Sequence, residues 1–313
     1  MIIFKIYGEN MKEIKITKNE EGQRIDRFLR KYFNKANRSF IYKMIRKKNI
    51  KLNNSRAEPE TLLKRDDLVQ LYLSDSTIDK FREKKSIEQT YIHFKIVYED
   101  ENILVVNKPA GLSTQPDKTG PINLVDEIKM YLDAKEKNIS FTFKPAVCNR
   151  LDKNTSGLVI AAKNYDALKQ TNRAIRERNI KKFYIAKVHG IIREDLELKD
   201  YLVKNENKNM VKIIRENREN AKSVVTYAHP IETRGNYTWL EVEIGTGRAH
   251  QIRAHLSSIG YPIVGDKKYG IKDGERYQVL HAWKLLLSGY EGELDYLNGM
   301  EVKSEIRDRI LLK

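Results

Sequence analysis

The first regular pattern along the chain is a set of apolar residues that recur three and four positions apart after Gln23. This spacing places them on one face and predicts an amphipathic helix. They are Ile25, Phe28, Leu29, Tyr32 and Phe33. Residues 1–22 precede the helix and are predicted to be an N-terminal extension with one short strand from Met11. Met11 is also a second candidate start of translation.

A second amphipathic helix is predicted to follow, with Ser39 as its N-cap, because a serine hydroxyl accepts a hydrogen bond from a free backbone amide. Its inward positions are Phe40, Ile41, Met44 and Ile45. A turn at Asn53 and Asn54 and an alternating run at 68–73 close a small domain over residues 23–73. Residues 74–91 are charged and lack clean periodicity, which predicts a linker.

The remaining residues, 92–313, are predicted to form a second, larger domain in which short strands dominate. Two apolar runs around an acidic turn, residues 96–112, predict a hairpin that ends in the turn Lys108-Pro-Ala-Gly. Residues 202–227 are polar and predict two strands with a long charged loop. Further strands and helices are predicted at 182–190, 239–244, 124–134 and 167–178.

The charge balance predicts a partner. The 313 residues contain 59 lysines and arginines against 43 acidic residues, a net charge of +16, which indicates a polyanion and most often a nucleic acid. Residues 23–73 hold 14 of these basic residues and 5 of the acidic ones, so more than half of the excess charge lies in a sixth of the chain. A solvated helix surface also carries such runs, but one sign clustered on a capped helix favours a phosphate-binding face.

Residues 24–53 are similar to the RNA-binding module first known from small-subunit ribosomal protein four. The similarity rests on Arg-Ile-Asp-Arg-Phe-Leu, then Arg-Ser-Phe-Ile-Tyr-Lys-Met-Ile-Arg, and then Ile-Lys-Leu-Asn. It implies that the second helix and the turn after it face RNA. The implied RNA-binding residues are Arg38, Lys43, Arg46, Lys47, Lys48 and Lys51.

Cysteine usage and hydropathy bear on the compartment. The single cysteine, Cys148, cannot form an internal disulfide and fits a reducing environment, and its apolar neighbours favour a small buried residue over a nucleophile. No run approaches the roughly 18 apolar residues that span a bilayer, and the charged N-terminus lacks a signal-peptide cleavage site. We therefore expect a cytoplasmic protein without a membrane partner.

A polar turn that runs into an apolar strand carries the candidate chemistry, in the stretch 149–163. In extended geometry Arg150 and Asp152 lie on one side of the backbone while Leu151 points into the core. A carboxylate held in this way can act as a nucleophile or a base, although Asp-x-Asn is also common as a simple turn. The string Arg-Leu-Asp, two residues, Thr-Ser-Gly and an aliphatic run resembles the catalytic motif of the RluA-type pseudouridine synthases.

The strand predicted at 182–190 resembles a second block of the same family. Its sequence, Lys-Phe-Tyr-Ile-Ala-Lys-Val-His-Gly, is similar to a segment whose tyrosine contacts the target base, which implies that role for Tyr184. The alternation alone leaves open on which face of the strand Tyr184 lies. A strand tyrosine without this resemblance is ordinarily a packing residue.

The segment Gly245-Thr-Gly-Arg-Ala-His-Gln-Ile-Arg resembles a third block, whose arginine pairs with the catalytic aspartate and here is Arg253. Its glycines lack the third glycine and the βαβ unit of a dinucleotide site. His250 and His255 are five positions apart, which does not suit a helical zinc pair. Residues 279–285 resemble the family's closing strand, although the polar-proline ending expected after Ser288 is absent.

The resemblance implies a pseudouridine synthase with Asp152 as the carboxylate that acts at the ribose. Arg253 would keep Asp152 ionised, and Tyr184 would stack on the uracil. Arg150 would lie beside the extruded nucleotide and Arg248 would contact phosphate. Whether Asp152 attacks the anomeric carbon or removes a ribose proton stays open. The isomerisation involves no oxidation and no phosphate activation, so neither a cofactor nor a metal is expected.

The resemblance also implies an α+β fold, with a mixed and mainly antiparallel sheet in the catalytic domain and a small α/β RNA-binding domain before it. The combination is similar to the branch that acts on large-subunit ribosomal RNA, and we expect a monomer. Transfer RNA is the alternative substrate. A non-catalytic RNA-binding or ribosome-assembly factor is a further alternative, and a carboxylate-dependent hydrolase ranks lower because no second acid is evident. Asn149 departs from the family, where many members have His before Arg-Leu-Asp.

Overall fold

The computed structural model describes residues 11–82, 91–116, 122–135, 143–205 and 210–305. The chain divides into two compact units. The first contains the N-terminal region up to Tyr91 together with residues 129–145 and 164–166, and the second contains the rest. In the part of the chain that the structure describes, no helix has the length and apolar content needed to cross a membrane.

The first unit combines three helices with a small antiparallel sheet in the strand order β1-β4-β2-β3. Its elements are β1 (Lys12–Lys15), α1 (Ile25–Tyr32), α2 (Arg38–Arg46), β2 (Ile50–Leu52), β3 (Ser55–Arg56), β4 (Leu68–Leu71) and α3 (Asp75–Phe81). The apolar faces predicted for both helices meet in one core, in which Phe28, Ile41 and Ile45 are buried. Phe40 and Met44 pack against the edge of that core.

Two predictions in this region need correction, and the short strand predicted from Met11 is present as β1. The N-cap of α2 is Asn37, whose side chain accepts a hydrogen bond from the amide of Phe40, so Ser39 already lies inside the helix. The extension contributes strand β1, which pairs with β4. The segment predicted as a linker begins with helix α3, because Ser74 caps it and Ile78 is buried in the core of the first unit.

The second unit is built on an eleven-stranded sheet with the path β11-β10-β12-β13-β9-β14-β8-β6-β5. Strand β15 adds to β14 and β7 adds to β8. Every pairing is antiparallel except that of β14 with β8, so the predicted mixed, mainly antiparallel sheet is confirmed. The strands are β5 (Lys95–Glu99), β6 (Ile103–Lys108), β7 (Ala146–Val147), β8 (Ser156–Ala162), β9 (Lys181–His189), β10 (Leu196–Asn205), β11 (Met210–Ile214), β12 (Lys222–Arg234), β13 (Tyr237–Ile244), β14 (Leu280–Leu286) and β15 (Glu301–Lys303).

The helices of this part of the chain are α4 (Leu124–Lys135), α5 (Tyr165–Arg176), α6 (Gln251–Ser258) and a 3-10 helix at Gly292–Leu297. Helices α4 and α5 begin and end within two residues of their predicted bounds. The polar region predicted as two strands and a loop instead supplies three strands, β10, β11 and the start of β12. Its side chains are polar because much of this hairpin arm is exposed or half-buried, which hides the usual alternation.

One glycine fixes the contact between β8 and β14. Gly157 has φ +120°, and a Cβ placed there would come within 2.2 Å of the carbonyl oxygen of Ala282. Only glycine therefore allows these two strands to run side by side. Because β8 begins at Ser156, this contact also fixes where the loop that carries Asp152 enters the sheet.

Candidate active site

A cleft of about 640 Å³ lies in the second unit, next to the loop that precedes β8. Its walls come from that loop, from the end of α5, from β9 and from the segment between β13 and α6. Five of the residues predicted from the sequence line it together. They are Arg150, Asp152, Tyr184, Arg248 and Arg253.

The loop that carries Asp152 is closed by its own backbone and by Thr114. The amide of Thr155 donates to the carbonyl of Asp152 at 3.0 Å. Thr114 accepts from the amide of Leu151 at 3.2 Å and donates to its carbonyl at 2.7 Å, while the Leu151 side chain is buried as predicted. Asp152 is thereby presented from a fixed turn and not from a free loop.

Asn149 braces the same loop against β8. Its side-chain oxygen accepts from the amide of Ile160 at 2.8 Å, and its side-chain nitrogen donates to the carbonyl of Leu158 at 3.2 Å. An amide side chain offers one acceptor and one donor at a spacing that matches the two backbone groups. The departure at Asn149 therefore has a structural role in this protein.

Lys108 fixes the position of the same loop through hydrogen bonds to backbone carbonyls. Its side chain is fully buried, and Nζ donates to the carbonyls of Pro109, Leu112 and Lys153 at 2.9, 2.8 and 3.1 Å. Burial lowers the pKa of Lys108 to about 7, and the charge of Asp152 opposes that shift. One ammonium group thus joins the turn after β6 to the turn after Asp152.

Arg253 joins the two carboxylates at the base of the cleft. Its Nη1 lies 2.8 Å from Oδ2 of Asp152, and its Nε and Nη2 bind both oxygens of Asp266 at 2.7 and 2.8 Å. The side chain of Arg253 is 6% exposed, that of Asp266 0% and that of Asp152 22%. Asp266 therefore fixes the guanidinium in the interior, and Asp152 reaches from the pair into the cleft.

The protonation states of the pair follow from this geometry. Burial lowers the pKa of Arg253, but its hydrogen bonds and charge contacts with Asp266 and Asp152 outweigh burial and raise it overall. Burial raises the pKa of Asp266, whereas Arg253 and the amides of Lys268 and Tyr269 hold it below its usual value overall. Both groups are charged at neutral pH.

His250 is the second group beside the carboxylate of Asp152. Its Nε2 lies 3.7 Å from Oδ2 of Asp152, and its Nδ1 lies 2.9 Å from the hydroxyl of Tyr269. That hydroxyl already accepts from the amide of Val211 at 2.7 Å, so its proton is available for Nδ1. Burial lowers the pKa of His250, although Asp152 opposes the shift, which favours a neutral ring with its proton on Nε2 towards Asp152.

Tyr184 lies on the face of β9 that borders the cleft, which resolves the face that the alternation left open. It is 7% exposed, and burial together with the charge of Asp152 raises the pKa of its hydroxyl well above the usual value. The phenol is therefore protonated, and the negative charge of Asp152 contributes to its raised pKa. Arg150 and Arg248 lie at the rim, where both are exposed.

The basic residues predicted in the first unit follow helix α2 and the turn after it. Arg38, Lys43, Arg46, Lys47 and Lys48 are exposed. Lys51 is half-buried, with Nζ 4.8 Å from the centre of the Tyr72 ring. We call these six residues of α2, the turn after it and β2 the basic surface of the first unit, and their contact with RNA stays a prediction.

Four residues that the sequence did not single out belong to the site, namely Lys108, His250, Asp266 and Tyr269. Lys108 appeared only as part of a turn, and His250 only as a rejected zinc ligand. Asp266 and Tyr269 follow an apolar run, Tyr261-Pro-Ile-Val264, that gave no sign of chemistry. His255, the other histidine considered for zinc, is buried elsewhere, between Thr226 and Asp200.

Comparisons with known proteins agree on one family. The family model for RNA pseudouridylate synthases matches residues 102–258. A ribosomal large subunit pseudouridine synthase C of Buchnera aphidicola is 34% identical over 83% of this chain and 81% of its own, and one of Rickettsia bellii is 32% identical over 85% and 90%. The solved structure of human RNA pseudouridylate synthase domain containing 4 matches the fold with a TM-score of 0.56 at 22% identity, over 69% of this chain and 90% of that one.

Proposed function

Because the chain belongs to the RNA pseudouridylate synthase family, we propose that it isomerises specific uridines of large-subunit ribosomal RNA to pseudouridine, with Asp152 as the catalytic carboxylate. The relatives named ribosomal large subunit pseudouridine synthase C support this RNA as the substrate. The observation that carries the proposal is the contact of 2.8 Å between Asp152 and Arg253 at the base of a basic cleft.

The reaction breaks the bond between the anomeric carbon and ring nitrogen one, turns the uracil, and forms a bond to ring carbon five. Carbon five then loses its proton and nitrogen one gains one, so the product is an isomer. Asp152 acts at the ribose in either route, as a nucleophile at the anomeric carbon or as a base towards a ribose proton. Both routes need the carboxylate of Asp152 directed at the ribose, and the guanidinium of Arg253 fixes its direction.

Asp266 holds Arg253 in the position from which it binds Asp152. A guanidinium anchored by two hydrogen bonds to a buried carboxylate keeps its third donor aimed at Asp152 without moving during the reaction. Charges that are already oriented cost no reorganisation when charge develops on the substrate. The neutral His250 is a further donor near the same carboxylate, with its Nε2 3.7 Å from Oδ2 of Asp152.

Tyr184 bounds the part of the cleft that would hold the extruded base. A protonated, buried phenol offers a flat face for stacking on the base and a hydroxyl that can donate a hydrogen bond to it. Arg150 and Arg248 at the rim would contact the phosphates next to the target nucleotide. These contacts would offset the few kcal/mol that base flipping costs.

The basic surface of the first unit is proposed to bind RNA in the manner of the module of ribosomal protein four. Its exposed arginines and lysines on α2 support this role, because clustered cations release counterions from the RNA backbone. We further propose that the enzyme acts as a cytoplasmic monomer without a cofactor. The single cysteine and a redox-neutral isomerisation support this part of the proposal.

The test is tritium release from RNA labelled at uracil carbon five, with large-subunit ribosomal RNA and transfer RNA as separate substrates. Release from ribosomal RNA alone, lost in Asp152→Asn, is the expected result. Release from transfer RNA alone would reassign the substrate. Tight binding without release from either RNA would favour the assembly-factor alternative.

A further inference from the structure

Lys182 is a half-buried cation in the lining of the cleft. It lies on β9 two residues before Tyr184, so both side chains are on the strand face that borders the cleft. Among the residues that the structure describes, none forms a hydrogen bond or an ion pair with its Nζ. Burial lowers the pKa of Lys182, and no carboxylate opposes that shift.

Two other lysines of the second unit differ from Lys182, because each has an acceptor for its ammonium group. Lys108 is buried, and three backbone carbonyls accept from its Nζ. Lys181 also lines the cleft, but its Nζ is paired with Glu243, 3.6 Å from a carboxylate oxygen. An ammonium group held away from water without an acceptor is costly, and an anionic ligand in the cleft would offset that cost.

The loop between β13 and α6 supplies further donors beside Lys182. A Cβ placed on Gly247 would lie 3.6 Å from Nζ of Lys182, so the ammonium group is next to this glycine. Within the described ranges, nothing accepts a hydrogen bond from the amide of Gly247, which is exposed. Arg248 follows directly and lines the same cleft. A cation, a free amide and a guanidinium together suit a phosphate group.

From this arrangement we propose that Lys182 and the amide of Gly247 form a subsite for an RNA backbone phosphate next to the target uridine. The proposal rests on the proposed function and extends it, since it says which wall of the cleft the backbone follows.

The test uses Lys182→Met and Lys182→Arg in an Asp152→Asn background, so that no turnover disturbs binding. The probe is a fluorescein-labelled transcript of large-subunit ribosomal RNA, and anisotropy gives Kd at several salt concentrations. Lys303→Met is the matched control, because Lys303 is an exposed strand lysine paired with Glu301 and lies outside the cleft. We expect Lys182→Met to weaken binding about tenfold and to lower the salt slope by about one, with Lys182→Arg and the control unchanged in slope.

A second measurement separates a binding role from a structural one. The melting temperature of the free protein should stay the same or rise in Lys182→Met, because the change removes a desolvated charge that has no partner. A lower melting temperature, or an unchanged salt slope, would overturn the phosphate subsite. Failure of the wild-type protein to release tritium would instead count against the proposed function, while the binding data would still decide on the subsite.

Discussion

Asp266→Asn tests whether the buried ion pair with Arg253 organises the site. In the wild-type protein, Oδ1 of Asp266 accepts from the amides of Lys268 and Tyr269 at 2.9 and 3.1 Å and from Nη2 of Arg253 at 2.8 Å. Oδ2 accepts only from Nε of Arg253, at 2.7 Å. If Oδ1 of the asparagine keeps its three donors, its NH₂ group faces the N–H at Nε, and two donors then meet.

The substitution therefore removes one charged hydrogen bond and leaves a buried N–H without an acceptor. A charged hydrogen bond contributes about 1.5–3 kcal/mol, and breaking a buried pair costs about 3–5 kcal/mol. We expect the free energy of unfolding of the second unit to fall by about 3 kcal/mol. We also expect kcat to fall more than about 100-fold, because the third donor of Arg253 is no longer held towards Asp152.

Urea unfolding followed by tryptophan fluorescence measures the loss, since both tryptophans, Trp239 and Trp283, lie in the second unit.

The effect of Asp266 on stability also depends on pH. The pKa of Asp266 is lowered in the folded state, so its contribution to the free energy of unfolding is present above the unfolded carboxyl pKa of about 3.9 and is lost as pH falls through the lower folded value. The difference between variant and wild type should therefore shrink in acid. Asp195→Asn is the control, because Asp195 lies in the same second unit and forms an exposed pair with His229, and exposed pairs contribute little to stability. A loss at Asp266 no larger than that of the control would refute the reasoning.

Three further outcomes are expected. Asp152→Asn should lower tritium release by more than about 1,000-fold and change the Kd for RNA by only a few-fold; an equal loss of binding would contradict a chemical role. Lys108→Met should lower the free energy of unfolding by about 3 kcal/mol in the same fluorescence assay, since the carbonyls of Pro109, Leu112 and Lys153 each lose a donor, and an unchanged midpoint would argue against this brace. Tyr269→Phe removes the partner of His250 Nδ1 and the acceptor for Val211, so we expect kcat to fall about tenfold with KM nearly constant; a change confined to KM would count against the orientation of His250.

The helices of the first unit were predictable because their apolar residues repeat at helical spacing and face a single core. The exceptions have local causes. Asn37 caps α2 in place of Ser39 because both are good capping residues two positions apart, and only the backbone geometry selects one. Helix α3 was missed because a short helix with one buried residue, Ile78, leaves little periodic signal.

In the second unit, the strands with clean alternation were predicted, whereas the polar region 202–227 was predicted as two strands and a loop and contains parts of three strands. Most residues of β10 and β11 are exposed or half-buried, so apolar residues are not required at every second position. The single parallel pairing, between β8 and β14, joins residues more than 120 positions apart and depends on the missing side chain of Gly157. A local sequence pattern cannot predict a contact between residues so far apart along the chain.

The sequence by itself determined the chemistry-bearing motifs, the excess of positive charge and the family resemblance, because these depend on residue types at short spacing. It proposed Asp152 and Arg253 as partners only through that resemblance, since 101 positions separate them. The tertiary structure alone decided that Asp266 anchors Arg253, that Lys108 braces the loop, and that Lys182 has no partner among the described residues. These facts depend on which groups meet in the folded interior. There, a charge without a partner costs much more free energy than it does in water.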